Sequence, residues 1–288
     1  MKILITGASG FTGSNLVEYL KKDSHLDIYC TSRAPKEASY LSCDLTDFNL
    51  VENLIQEIKP ERIYHLAGSF TNDYFVDYAN NVLSTKNILE SILKYKIACR
   101  VLLVGSSAEY GLIKEEDNPV KEDQPLSPVS IYGLTKVYQT HLMKFYCQVH
   151  NLDIVMARTF NLLGKNISAQ LFVGRIYQQI EEYKIGKIDK IILGDLQSKR
   201  DYIEIQDAVE YYEKIMNYGE AGEVYNVGKG SSIRLSDLLE KILVENDLST
   251  DIVEIRLRSH INKINTNDIF ANLSKTNLIL DAFLKYNR

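Results

Sequence analysis

Basic residues are in slight deficit: 33 Lys and Arg stand against 38 Asp and Glu, a formal net charge of −5. Nucleic-acid binding is marked by a basic face, so the balance argues against that partner, and an anionic small molecule would need a local basic pocket. Cysteine is sparse. Cys30, Cys43, Cys99 and Cys147 form no CxxC pair and have no histidines at zinc-ligand spacing, which points away from a metal site and towards reduced core thiols of a cytosolic protein. Long apolar runs are missing. None approaches the ~20 residues of a membrane-crossing helix, and the run Ile3 to Ile5 ahead of Gly7 is far short of a signal-peptide core. The expectation is a soluble, cytoplasmic chain with no membrane partner. Neither an internal repeat nor a low-complexity tract is present. Proline is rare, and three of the five (Pro119, Pro125, Pro128) fall in the acidic stretch Glu115 to Ser130, which lacks periodicity and reads as an ordered functional loop ahead of a long helix.

What the chain does have is alternation. Over its first 160 residues short apolar runs (Lys2 to Thr6, Asp27 to Thr31, Arg62 to Leu66, Val101 to Val104, Ile154 to Ala157) are separated by amphipathic stretches (Ser14 to Lys22, Asn49 to Lys59, Thr85 to Tyr95, Ile131 to His150). Strands this short and apolar, spaced by helices, predict a parallel sheet covered on both faces: a doubly wound, Rossmann-type α/β fold. The beat is lost in 161–190 and from 221 onwards. The expected division is a dinucleotide-binding domain over 1–160, to which 191–220 return, and a smaller α/β substrate-binding lobe from 161–190 and 221–288.

The segment Lys2 to Gly13 places Gly7, Gly10 and Gly13 between an apolar strand and a helix. Such a turn lets the backbone approach a pyrophosphate and aims helix N-terminal amides at it, so Gly7, Ser9, Gly10, Phe11, Thr12 and Gly13 are candidate cofactor contacts. An acidic residue at the end of the second strand would favour a free ribose 2′-hydroxyl. Arg33 is there instead, with no acid before Glu37, so NADP(H) is favoured and NAD(H) stays possible; an ordinary surface arginine is the alternative. Tyr132 and Lys136, four residues apart on one helix face, pair a phenol with an ammonium that favours its ionisation.

With the GxxGxxG spacing, Asp44-Leu45-Thr46-Asp47, His65-Leu66-Ala67-Gly68, Asn81-Val82-Leu83-Ser84-Thr85 and Tyr132-Gly133-Leu134-Thr135-Lys136, the chain resembles the extended short-chain dehydrogenase/reductases. The resemblance implies that Asp44 and Leu45 flank an adenine, that Leu66, Ala67 and Gly68 line the cofactor, and that Asn81 braces the chain beside it. It also implies that Ser106, in Val101 to Gly111, supplies the catalytic hydroxyl beside Tyr132 and Lys136; a serine merely capping the strand end is the alternative. Relatives that dehydrate 4,6-positions carry an acidic pair, or a hydroxyl and a glutamate, just after that hydroxyl. Here Ser107-Ala108 follows and Glu109 comes one residue late.

Arg158-Thr159-Phe160-Asn161, Arg200 to Asp207, Gly194-Asp195-Leu196 and Gly222 to Gly228 resemble the nucleotide-sugar branch, most nearly its GDP-4-keto-6-deoxy-mannose reductases. Ser107, Asn161, Arg200 and Arg258 are therefore expected on the substrate side, although Arg200 could instead pair with Asp207. The resemblance implies an NADPH-dependent 4-ketoreductase of a nucleotide-linked 4-keto-6-deoxy sugar. A 4-epimerase that retains NAD and a non-catalytic dinucleotide-binding sensor are the other readings. It also implies a homodimer paired through Thr85 to Tyr95 and Ile131 to His150.

Overall fold

The computed structural model describes residues 1–34, 39–256 and 268–279. In chain order the elements of the first half are β1 (Lys2–Thr6), α1 (Phe11–Leu20), β2 (Asp27–Ser32), β3 (Leu41–Ser42), α2 (Phe48–Ile58), β4 (Arg62–His65), α3 (Tyr74–Tyr78), α4 (Ser84–Tyr95), β5 (Arg100–Ser106), α5 (Ile131–His150) and β6 (Asp153–Thr159). There follow β7 (Asn161–Leu163), α6 (Phe172–Lys184), β8 (Ile191–Leu193), β9 (Lys199–Glu204), α7 (Ile205–Tyr218), β10 (Val224–Val227), β11 (Ser232–Arg234), α8 (Leu235–Val244), β12 (Val253–Ile255) and β13 (Asp268–Ile269).

Seven strands form one sheet in the order β10-β6-β5-β4-β1-β2-β3, and every pairing in it is parallel. The chain winds outward in both directions from the β1/β4 junction, so a crevice opens there at the carboxyl ends of the strands. Both sheet faces are covered. Leu16 and Val17 of α1 and Val209, Tyr212 and Met216 of α7 pack on one face; Val51, Ile55, Ile88, Leu89 and Met143 of α2, α4 and α5 pack on the other. Burial on both faces is why these strands read as apolar runs rather than alternating ones. The doubly wound α/β fold expected from the alternation is the observed one.

Helix ends follow local chemistry. Asp47 caps α2 by accepting from the Asn49 and Leu50 amides, and Ser130 Oγ caps α5 by accepting from Gly133 N at 3.0 Å. The helix α1 starts at Phe11, ahead of the expected Ser14, because the glycine turn runs directly into it. Between β4 and α4 the chain makes α3 and a π-helical turn, Ala79–Leu83, which the apolar pattern did not indicate.

Two further sheets lie outside the main one, one around β9 (paired with β7, β11 and β13) and one of β8 with β12, with a core cluster that includes Ile176, Ile180, Leu239 and Leu243. Two segments differ from the expected division. Within 191–220 only α7 covers the main sheet, while β8 and β9 lie in the small sheets; β10, placed beyond residue 221 in the lobe, is the edge strand of the main sheet beside β6. No helix among the described residues is long and apolar enough to cross a membrane.

Candidate active site

A cleft of about 850 Å³ lies along the carboxyl ends of β1, β4, β5 and β6. Its inner end is the glycine turn. Gly7 has φ +66°, and a Cβ there would come within 2.7 Å of Ala67 N; only glycine lets β1 leave the sheet this close to the β4 exit. A Cβ on Gly13 would sit 2.2 Å from Gly7 O. Gly10 caps α1 with extended backbone, no side chain caps the helix, and no acid occupies its first turn. The amide end of α1 is thus turned to the cleft wall formed by Gly10, Phe11, Thr12 and Gly13, a cradle that fits an anionic diphosphate. Gly13→Ala is expected to cost about 1–3 kcal/mol by overpacking and to weaken dinucleotide binding, read by urea unfolding and by NADPH fluorescence titration.

Leu66 and Gly68 line the cleft, whereas Ala67 packs behind it. At the end of β2, Ser9 Oγ lies 2.6 Å from Ser32 Oγ, and the exposed Arg33 donates to Asn80 Oδ1 at 3.4 Å. Asp44 Oδ1 accepts from Thr46 N and Oγ1 at 3.0 and 2.8 Å; these bonds and the nearby Arg33 hold its carboxyl below the usual range. Leu45 is buried. Asn81 is fully buried: Oδ1 accepts from Ser69 N at 2.8 Å, and Nδ2 donates to Ser69 O and Thr135 Oγ1, both at 2.9 Å. It ties the β4 exit to α5 and does not reach the cleft.

Ser106, Tyr132 and Lys136 converge on one wall of the cleft. Ser106 both ends β5 and caps the following turn, its Oγ accepting from Ala108 N at 3.2 Å; the capping role and the cleft position coexist. Burial pushes the Tyr132 phenol up to about 12, opposed by its hydrogen bond with Ser106. Lys136 Nζ lies 5.9 Å from the Tyr132 ring centroid and is brought down to about 8 by burial, against the pull of Glu109 and Asp77.

Glu109 does not face the cleft. It is fully buried; Arg158 Nε and Nη2 donate to its Oε2 at 3.1 and 2.9 Å, Thr140 Oγ1 donates to the same oxygen at 2.6 Å, and Ser106 N donates to Oε1 at 2.8 Å. No Asp or Glu is among the described residues that line the cleft, whose charged lining residues are Lys136 and Arg200.

On the outer side, Ser107, Asn161 and Arg200 line the cleft. Asn161 Nδ2 donates to Asp201 O at 3.0 Å, and Arg200 Nη1 to Lys199 O at 2.6 Å. The acid near Arg200 is Asp268 of β13, whereas Asp207 is exposed in the first turn of α7. Arg258 lies outside the described residues. Three contributors were not anticipated. Phe70 meets the Tyr132 ring edge-on at 6.2 Å, Asn72 Oδ1 accepts from Tyr132 N at 3.4 Å, and Gln139 Oε1 accepts from Lys136 Nζ at 3.1 Å. The first two sit in an irregular loop without periodicity, and the third is a core position on an amphipathic helix.

A doubly wound sheet with an anion cradle at the first turn and a Ser, Tyr and Lys group at the adjoining strand ends defines a dinucleotide-dependent enzyme. The chain belongs to the NAD dependent epimerase/dehydratase family, whose model matches residues 3–228. It is 27% identical over 262 residues to the GDP-6-deoxy-D-mannose reductase of Pseudomonas aeruginosa, covering 89% of this chain and 81% of that one. It is 29% identical over 247 residues to the UDP-glucose 4-epimerase of Mycolicibacterium smegmatis, covering 80% and 78%. Its fold matches that of RMD from Pseudomonas aeruginosa complexed with NADPH, with a TM-score of 0.83, 23% identity and coverage of 96% and 90%.

Proposed function

We propose that the protein is an NADPH-dependent 4-ketoreductase of a nucleotide-linked 4-keto-6-deoxy sugar, of the GDP-4-keto-6-deoxy-mannose type. The observation that carries this reading is the chemistry of the cleft wall: Ser106, Tyr132 and Lys136 are together, and among the described residues no carboxylate lines the cleft. Dehydration across C5 and C6 needs a base for one proton and an acid for the departing hydroxyl, and Glu109, bound by Arg158, supplies neither. Reduction of a carbonyl needs one proton donor and one polarising hydroxyl, which are present.

When bound, the nicotinamide supplies the hydride. Ser106 Oγ polarises the substrate carbonyl, and Tyr132 gives its phenolic proton to the oxygen. Lys136 holds the nicotinamide ribose and stabilises the phenolate left behind. The amide end of α1 and the glycine turn receive the cofactor pyrophosphate, and Arg33, placed by Asn80, meets a 2′-phosphate. Arg200 and Asn161 take the substrate diphosphate, for which a guanidinium fork is suited. The similarity to a GDP-6-deoxy-D-mannose reductase over most of both chains supports the GDP-linked substrate. The exposed Phe145 and Val149 on α5 support a homodimer through α4 and α5.

The test is loss of nicotinamide absorbance on adding a 4-keto-6-deoxy sugar nucleotide generated in situ from GDP-mannose by a dehydratase. Stoichiometric NADPH consumption is expected. Interconversion of a stable nucleotide sugar without net consumption, for which the same three residues would serve, would replace the reductase by an epimerase, the reading favoured by the similarity to UDP-glucose 4-epimerase.

A further inference from the structure

Lys136 reaches the cleft from a buried polar network whose directions are set by its chemistry. Thr85 Oγ1 lies 2.7 Å from Asn81 O, an obligate acceptor, so the Thr85 proton points there. Every other group facing Thr85 Oγ1 must then donate. His65 Nε2 is 3.0 Å away and Gln139 Nε2 is 2.8 Å away, so the imidazole carries its proton on Nε2 and its Nδ1 accepts from Thr6 Oγ1 at 2.8 Å. A neutral His65 agrees with this, since burial lowers its pKa to about 3. The Gln139 amide is therefore held in one orientation, with its carbonyl towards Lys136 Nζ at 3.1 Å. The second acceptor of Nζ is Val104 O at 2.9 Å. An ammonium has three N–H bonds, so one remains for the cleft.

We propose that Gln139 is a positioning residue, which holds Lys136 in its ammonium form with a single N–H directed at the cofactor and Tyr132. The proposal rests on the reductase reading only in giving Lys136 a working role. It assigns a function to an amide that would otherwise be one more satisfied core residue. The charged and titratable groups facing Nζ come from several elements: Asp77 of α3 and Glu109 after β5 favour the ammonium, His65 of β4 is neutral, and Tyr132 lies on the same helix. Against burial, the loss of one of two carbonyl acceptors lowers the pH at which the ammonium is lost, and a carboxylate in its place raises it.

The experiment compares Gln139→Leu and Gln139→Glu with the unaltered protein. The readouts are the alkaline limb of kcat/KM for keto-sugar reduction and the pH dependence of NADPH affinity by fluorescence, with thermal melts as a check on folding. The Leu variant should move the alkaline limb down and the Glu variant should move it up, each by about tenfold in the acid dissociation constant. Shifts in the same direction, or none, overturn the proposal, because a merely structural amide gives no opposed displacement. If no keto-sugar is turned over, the reductase reading fails by itself, and the same opposed shifts are sought in NADPH affinity. If the Leu variant does not fold, an unmoved limb in Gln139→Glu is sufficient to overturn it.

Discussion

Tyr132→Phe is expected to lower kcat for carbonyl reduction by about 10²–10⁴-fold, the usual contribution of a positioned proton donor, with NADPH affinity close to unchanged. The ring keeps its edge contact with Phe70 and its place at the start of α5, so only the hydroxyl is lost. Ser106 still polarises the carbonyl and Lys136 still holds the ribose in the reading above, which is why the effect falls on kcat and not on binding. The phenol, pushed up to about 12, stays protonated and able to donate throughout the neutral range. Lys136, brought down to about 8, loses its charge first. Reduction should therefore be flat below that value and decline as pH rises through it. A Phe variant with undiminished turnover would remove Tyr132 from the chemistry, and a rate that climbs through this window would remove the Lys136 ammonium from it.

Breaking the Glu109 and Arg158 pair should have the largest effect on stability. The side chains are 0% and 2% exposed, and the guanidinium donors Nε and Nη2 both reach Oε2. Removing one partner leaves the other charged and dry, at a cost of about 3–5 kcal/mol. Arg158→Met is expected to lower the urea midpoint accordingly. Glu109→Gln should also loosen Ser106, whose amide donates to Glu109 Oε1, so catalysis should suffer in that variant as well as stability. The double replacement by apolar residues should recover part of the stability, because no unpaired charge remains. A single replacement that costs under about 1 kcal/mol would show that the pair is not desolvated as its burial implies.

The surroundings of Tyr132 and of the Glu109 and Arg158 pair were unequally legible in the sequence. The strand and helix alternation, the glycine turn and the Tyr132 and Lys136 spacing are encoded within about a dozen neighbouring residues, where apolar periodicity and steric rules act directly. Accordingly α5 runs from Ile131 to His150 as its pattern indicates. Glu109 shows the opposite case. Its spacing from Ser106 placed it near the chemistry, but its partner is 49 residues away, and no local pattern states that a carboxylate in a turn will meet an arginine on the next strand. Gln139 is similar: its amide bonds Thr85, 54 residues back. The edge position of β10 was missed because a buried strand of only four residues, Val-Tyr-Asn-Val, fits any sheet.

Composition and local pattern alone determined a doubly wound α/β chain with a dinucleotide turn and a phenol and ammonium on one helix face, because these depend on backbone sterics and short-range periodicity. Tertiary structure decided which carboxylate is removed from the cleft, how Lys136 is held, and that Arg200 neighbours Asp268 and not Asp207. Those outcomes are set by which buried polar groups must satisfy one another once distant segments meet, and by the cost of leaving any of them unpaired.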